Sequence, residues 1–113
     1  MPEDATLDRQ RIRAARSQAM FREVNERIIE LTDKWPAEPQ FVCECESTSC
    51  AETLTLTFDE YEAVRRDPGT FVVAPGHDVP DVEDVVRSTD RYLVVRKLGR
   101  GLDLAVEFDP RKS

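Results

Sequence analysis

The sequence predicts an α+β fold: a long N-terminal helix, then a small, mostly antiparallel sheet with two short helices and a Cys3His zinc site. Three observations predict it. Neither glycine nor proline interrupts residues 6–34, most of which favour helices. Short β-branched stretches, separated by glycine and proline, fill the second half. All the cysteines, Cys43, Cys45 and Cys50, fall within eight residues, and the only histidine is His77.

Residues 6–34 form the predicted long helix, after a frayed start at residues 1–5. Apolar side chains at three- and four-residue steps line one face, namely Ile12, Ala15, Ala19, Met20, Val24, Ile28, Leu31 and Trp35. Pro36 and Pro39 end the helix. A length of about 42 Å exceeds the width of a small domain, so the first half is expected to project or to pack on a partner. The second half is expected to cap the sheet.

This helix is predicted to have a basic first half. It carries arginines and no acidic residue from position 9 to 22, at Arg9, Arg11, Arg13, Arg16 and Arg22. Such an arm is most simply a solvated helical face, because arginine favours helices. The alternative is contact with nucleic acid, an anionic surface or an acidic partner.

The middle of the chain predicts two strands and a helix. Residues 41–43 form a short strand that leads into a polar loop, and residues 53–57 alternate polar and apolar as a half-buried strand does. Thr57 and Glu60 fit a capping box that begins a helix. That helix turns Tyr61 and Val64 inward and stops at residues 67–69, Asp-Pro-Gly.

The last part predicts a strand, a helix and a hairpin. Residues 71–74 form a buried strand, which Pro75 and Gly76 turn toward His77. Pro80 is placed to begin a short helix whose apolar side is Val79, Val82, Val85 and Val86. Residues 91–98 and 102–108 are predicted as two strands joined at Gly99-Arg-Gly101.

Length and composition predict one small domain. We divide the chain into a helical arm (1–35), a zinc-stabilised α+β domain (40–108) and a tail (109–113). Hydrophobic residues make up 40% of the 113 residues, and the net charge of −7 argues against a general affinity for nucleic acid. No apolar run is long enough to span a membrane, and the start lacks the features of a secretory signal. An odd number of cysteines suits a reduced, metal-binding set, so a cytoplasmic location is expected.

The spacing C-x-C-x4-C, followed by 26 residues and a histidine, predicts a metal site. Thiolate and imidazole are the preferred ligands of structural zinc, which binds four of them in a tetrahedron. Cys43, Cys45, Cys50 and His77 supply that number. Alternatives for the fourth ligand are Glu44, Glu46, Glu52 and Asp78. The competing interpretation is three reduced cysteines and an unrelated surface histidine, although a polar loop buries free thiols poorly.

Catalytic interpretations are weaker. Four soft ligands leave no open position on zinc, although Glu44 and Glu46 are candidate bases. A cysteine nucleophile paired with His77 leaves two cysteines unexplained. Oxidation of zinc-bound thiolates, as in a redox switch, is more credible. The Gly-x-Gly at residues 99–101 lacks the rest of a phosphate-binding loop.

Several segments resemble a family of small, uncharacterised actinobacterial proteins. They are residues 21–28 (FREVNERI), 41–45 (FVCEC) with Cys50, 60–65 (EYEAVR), 71–77 (FVVAPGH) and 91–95 (RYLVV). The resemblance covers most of residues 20–98. It implies that the three cysteines and the Pro-Gly-His turn belong to one site, and it brings no activity.

These observations predict a non-enzymatic zinc-binding interaction or regulatory module with a structural zinc. A redox-sensing zinc-thiolate switch is the alternative, and a zinc- or thiol-dependent enzyme is a more distant one. The expected partner is a protein, bound through the long helix, or a second copy held by the same helix. Binding to nucleic acid remains an alternative only because of the arginine-rich arm, and no membrane contact is expected.

Overall fold

The computed structural model describes residues 2–32, 39–47 and 49–111, and within them the side chains of residues 2–7 and 32 are not described. The elements in chain order are α1 (Pro2–Thr32), β1 (Gln40–Val42), β2 (Thr53–Thr55), α2 (Phe58–Arg65), β3 (Thr70–Val73), β4 (Glu83–Ser88), β5 (Leu93–Lys97) and α3 (Gly99–Glu107). They form an antiparallel β1–β2 pair and an antiparallel three-stranded sheet in the order β3-β5-β4. The predicted α+β class, with a long first helix and small antiparallel sheets, is confirmed.

The prediction of a helix that begins at Pro80 is wrong. Residues 83–88 form β4, which pairs with β5. The acidic residues that suggested the first turn of a helix are outweighed by Val85 and Val86, because valine has a strong β-propensity. Val82 lies before the strand and accepts a hydrogen bond through its carbonyl from the Leu98 N–H at 2.9 Å, which extends the pairing.

The predicted hairpin at Gly99–Gly101 and the strand after it are also wrong. Residues 99–107 form α3, which buries Leu104 and Ala105 and leaves Val106 exposed. Apolar residues at every second position suggested a strand, but Ala105 adds helical spacing: Leu102, Ala105 and Phe108 follow at three-residue steps, and Leu104 and Phe108 are four residues apart. Gly99, with φ +54°, turns the chain from β5 into the helix.

Helix α1 begins at Pro2, ahead of the predicted start, and its buried face overlaps only partly with the predicted stripe. Ala15 is buried and Ile28 packs against the core, as predicted. Met20, Val24 and Leu31 of the predicted apolar stripe are exposed. The buried face combines Ala15 and Phe21 with four polar side chains, which are Ser17, Gln18, Arg22 and Asn25. Trp35 and Pro36, expected at the end of the helix, lie outside the described residues.

The first half of α1 packs on the molecule and does not project from it. Arg100 of α3 donates to Asp8 at 3.1 Å, and the Arg16 guanidinium lies over the Phe108 ring. These contacts, with buried Ala15 between them, place α1 across α3.

Helix α2 begins with the predicted capping box. The Glu60 N–H donates to the Thr57 hydroxyl at 3.0 Å, and the Thr57 N–H donates to the Glu60 carboxylate at 2.9 Å. Tyr61 and Val64 point into the core as expected, where the Tyr61 ring stacks on Phe41 at 4.4 Å between centroids.

In the part of the chain that the structure describes, no helix is both long and apolar enough to cross a membrane.

Candidate metal centre

The cysteine loop, residues 43–50, follows β1, and successive side chains at its start point in opposite directions. The Cys43 N–H donates to the Glu52 carbonyl at 3.0 Å, and the Glu44 N–H donates to the Val72 carbonyl at 2.8 Å. The loop is therefore tied to the start of β2 on one side and to β3 on the other. Because successive residues of an extended chain face opposite ways, Cys43 and Cys45 share one side and Glu44 points to the other.

His77 is delivered by a tight turn at the end of β3. The His77 N–H donates to the Ala74 carbonyl at 2.9 Å, which closes a four-residue turn over Pro75 and Gly76. Gly76 has φ +86°, which is the conformation that the third residue of a type II turn requires. The sequence Pro-Gly-His therefore positions the imidazole because of its turn chemistry.

The structure brings the four predicted ligands together. The ligand atoms of Cys43, Cys45, Cys50 and His77 all lie within 4.8 Å of one another. His77 Nδ1 is 3.6 Å from Cys43 Sγ and 3.5 Å from Cys50 Sγ. A zinc tetrahedron with Zn–S near 2.3 Å and Zn–N near 2.0 Å has an S···N edge of about 3.5 Å. The donor set and its spacing therefore fit a tetrahedral metal ion.

The surroundings of the thiols call for a cation. Burial raises the pKa of Cys43 and of Cys45 above the ordinary value for a thiol. The Ala74 N–H donates to Cys43 Sγ at 3.2 Å, a hydrogen bond that favours the thiolate. A bound dication would stabilise the negatively charged thiolates that burial disfavours, because coordination to a metal ion deprotonates a thiol.

Glu44, one of the alternative ligands, is fully buried on the side away from the cysteines. Its carboxylate accepts hydrogen bonds from the Tyr61 hydroxyl at 2.5 Å, the Asn25 amide at 2.8 Å and the Val72 N–H at 3.2 Å. These donors come from α2, α1 and β3. Glu44 therefore joins the cysteine loop to three elements and is not available to a metal ion.

Helix α1 contacts this loop through polar side chains. Gln18 donates to the Glu44 carbonyl at 3.2 Å, and Asn25 donates to the Val42 carbonyl and accepts from the Val42 N–H. Arg22 stacks over the Phe71 ring at 3.6 Å and donates to the carbonyls of Pro68 and Thr70. Side chains on the buried face of α1 thus form hydrogen bonds to the backbone of β1, of the cysteine loop and of the start of β3.

The other alternative ligands are placed elsewhere. Glu46 accepts from the Lys97 ammonium at 2.9 Å, and Lys97 also pairs with Glu83 at 3.2 Å. Glu52 is exposed, and Asp78, although it follows His77, is not in the group of atoms that surround the site. Among the described residues, Cys43, Cys45, Cys50 and His77 are the group with metal-binding geometry.

Sequence reasoning identified the four residues but missed what supports them. The roles of Gln18, Asn25 and Tyr61 depend on helices that approach from distant parts of the chain. One signal was available: in C-x-C, the middle residue of an extended segment must face away from the ligands, and an acidic residue there needs buried donors.

Comparisons with known proteins give no match: no family model, curated protein or solved structure is similar to this chain. The resemblance to small actinobacterial proteins stays a prediction. The function therefore has to be argued from the site itself.

Proposed function

We propose that this protein is a small, non-enzymatic zinc-binding module whose interactions or regulatory role depend on a structural zinc ion held by Cys43, Cys45, Cys50 and His77. The observation that carries the proposal is the convergence of three thiols and one imidazole within 4.8 Å, from two separate segments of the chain. Zinc is the metal that we assign, because tetrahedral sites with three sulfur ligands and one nitrogen ligand are typical of structural zinc.

A structural role is favoured because the four ligands complete a tetrahedron. A catalytic zinc keeps a position open for water or substrate and has a general base nearby. The two acids next to the cysteines face other partners, since Glu44 is bound in the core and Glu46 pairs with Lys97. The metal would instead join the cysteine loop to the His77 turn and so stabilise a domain with a small core.

The test is metal content and thiol titration on protein purified without added metal. We expect one zinc per chain, and three thiols that react only after a chelator removes it. His77→Ala should lower the zinc content and destabilise the fold, whereas Asp78→Ala, at the neighbouring half-buried position, should keep one zinc. A folded, metal-free protein with three freely titratable thiols would contradict the proposal.

For the partner, we propose a protein that places a helix along α1. Met20, Val24 and Leu31 are 48%, 40% and 72% exposed and are separated by four and seven residues. That spacing forms a narrow apolar seam on one face, which suits packing against another helix. A photo-crosslinker at Met20 should capture one protein in the native cells, and the same group at Asp103 on α3 should not capture it.

A redox switch is the second candidate, supported by the half-exposed Cys50 beside two other sulfurs. Hydrogen peroxide would oxidise two thiolates to a disulfide, with two protons consumed and two waters formed. The metal ion would then be released, and the third cysteine would remain as a free thiol. Zinc release by stoichiometric peroxide, reversed by a thiol reductant, would support this candidate. Zinc that is retained while the exposed Met20 is oxidised would exclude it.

The site needs three reduced thiols, which favours a reducing compartment, and we propose the cytoplasm. Contact with nucleic acid is not part of the proposal. Arg9, Arg13 and Arg16 are exposed and, at four- and three-residue steps, lie along one side of α1. Arg16 already stacks over the Phe108 ring, and the net charge of −7 opposes a general affinity for nucleic acid.

A further inference from the structure

Strand β4 is an open edge of the three-stranded sheet. Among the described residues it pairs on one side only, with β5. Within the strand every residue after Glu83 is exposed, and the side chains of Val85 and Val86 are 45% and 55% exposed. A free edge with two adjacent exposed valines is a template for pairing with another strand.

A β-bulge arranges the charges of this strand. Val85 lies opposite Val95 and Arg87 lies opposite Val94, so Val86 is an extra residue. Asp84 lies opposite Arg96, and Arg96 and Val94 share one face of β5 because they are two residues apart. Asp84 and Arg87 therefore share one face of β4, which an unbulged strand would not allow.

These two charges lack an ion-pair partner within the part of the chain that the structure describes. The ion pairs of this sheet are made by Arg96 with Asp67 and by Lys97 with Glu46 and Glu83. Asp84 and Arg87 are left as an acid and a base on an exposed edge, on either side of two valines.

We propose that β4 pairs with β4 of a second copy of this chain, antiparallel about a two-fold axis between Val85 and Val86. Each Asp84 then lies opposite Arg87 of the second copy, and each Val85 lies opposite Val86 of the second copy. The two three-stranded sheets become one sheet of six strands. The segment Asp-Val-Val-Arg is complementary to itself in this register, and a two-fold interface requires that property.

The bulge does not prevent this pairing, because the two-fold axis places the same bulge on both strands next to the centre. The net charge of −7 on each chain opposes association. The two cross-strand ion pairs offset that repulsion locally, and burial of four valines adds apolar contact.

The test is sedimentation equilibrium of the metal-loaded, full-length protein over a range of concentrations. The wild-type protein should form dimers. Asp84→Arg and Arg87→Asp should each weaken dimerisation at least about tenfold, because like charges then face each other twice. The double variant D84R/R87D should restore it, because the ion pairs re-form with their signs exchanged. That restoration cannot come from damage to the fold.

Matched controls change the same charges elsewhere. The substitutions Asp103→Arg on α3 and Arg66→Asp after α2 lie at exposed positions and should leave the dimer intact. Met20→Lys tests self-association through α1 and should also leave it intact. Hydrogen exchange at residues 83–88 should slow as protein concentration rises. A monomeric wild-type protein, equal loss in the controls, or a dimer sensitive to Met20→Lys and not to Asp84→Arg would each overturn the proposal.

Discussion

At the scale of single residues, the geometry of the candidate metal centre depends on one backbone conformation as much as on its four candidate ligands. Gly76 holds φ +86°, and a side chain added there would meet no atom within 4 Å. Any effect of a substitution would therefore come from backbone strain and not from a steric clash. This makes Gly76 a clean probe of how the turn supports the site.

We expect Gly76→Ala to weaken zinc binding by about tenfold, since a left-handed conformation costs a residue with a Cβ about 1–2 kcal/mol. Competition against a chelator of known affinity measures the change. Gly99→Ala is the matched control, because Gly99 also has a positive φ, of +54°, and a side chain added there would meet no atom within 4 Å, but it lies at the start of α3 and not in the turn that holds His77, so zinc affinity should be unchanged. Equal affinities for the wild-type protein and Gly76→Ala would show that the turn does not hold His77 in place.

The convergence of the four candidate ligands could be predicted at this scale because their chemistry is local. Three thiols within eight residues and a single histidine leave few combinations. The buried partner of the loop, Glu44, could not be assigned in the same way. Its donors are 17 to 28 positions away in the sequence, on three different elements, and only tertiary packing brings them together.

At the scale of elements, the sequence predicted the types of the first five elements and exchanged the types of two later ones. Residues 102–108 carry apolar side chains at alternating positions, which favoured a strand, yet α3 forms there. Helical and strand periods are ambiguous over such short stretches. In the structure, packing decides: Leu104 and Ala105 face the interior, and Gly69 approaches so closely that a Cβ would lie 2.3 Å from Leu102 Cδ1.

A helix at residues 99–107 predicts unequal costs for truncating Leu104 and Val106, whereas a strand would predict similar costs. Leu104→Ala should lower the free energy of unfolding by about 2–4 kcal/mol, because it leaves a cavity in the core. Val106→Ala should change it by less than about 0.5 kcal/mol, because Val106 is 43% exposed. In a strand the two side chains would share one face and their truncations would cost similar amounts. Urea unfolding of the zinc-loaded variants separates the two cases.

At the scale of the whole molecule, Arg65 connects helix α1 to the segment that follows α3. Its side chain is fully buried and pairs with Glu26 of α1 at 3.2 Å and with Asp109 after α3. Arg111 extends the contact, donating to Glu26 and to Glu62 of α2. A partly buried ionic network thus joins α1 and the segment after α3 through α2.

This network makes the stability of the protein depend on pH in a defined direction. Burial alone would raise the pKa of Asp109, but the hydrogen bonds from Arg65 and from the Arg111 N–H bring that pKa below its ordinary value. A lowered pKa means that the carboxylate stabilises the fold above the unfolded-state value, near 4, and that this stabilisation is lost as the pH falls further.

We therefore expect Asp109→Asn to lower the free energy of unfolding by about 2 kcal/mol at pH 7, since it removes one partner of a buried arginine that Glu26 still holds. The gap between the two proteins should shrink as the pH falls from 5 to 3, because the wild-type carboxylate is then protonated. Urea unfolding at each pH gives the gap. Acid would release zinc from both proteins alike, because Asp109 is not in the group of candidate ligands, so the difference between the two proteins still reports the carboxylate. Asp103→Asn, at an exposed position on α3, should show little gap at any pH. A gap for Asp109→Asn that stays constant down to pH 3 would mean that the contact stabilises the protein through packing and not through its charge.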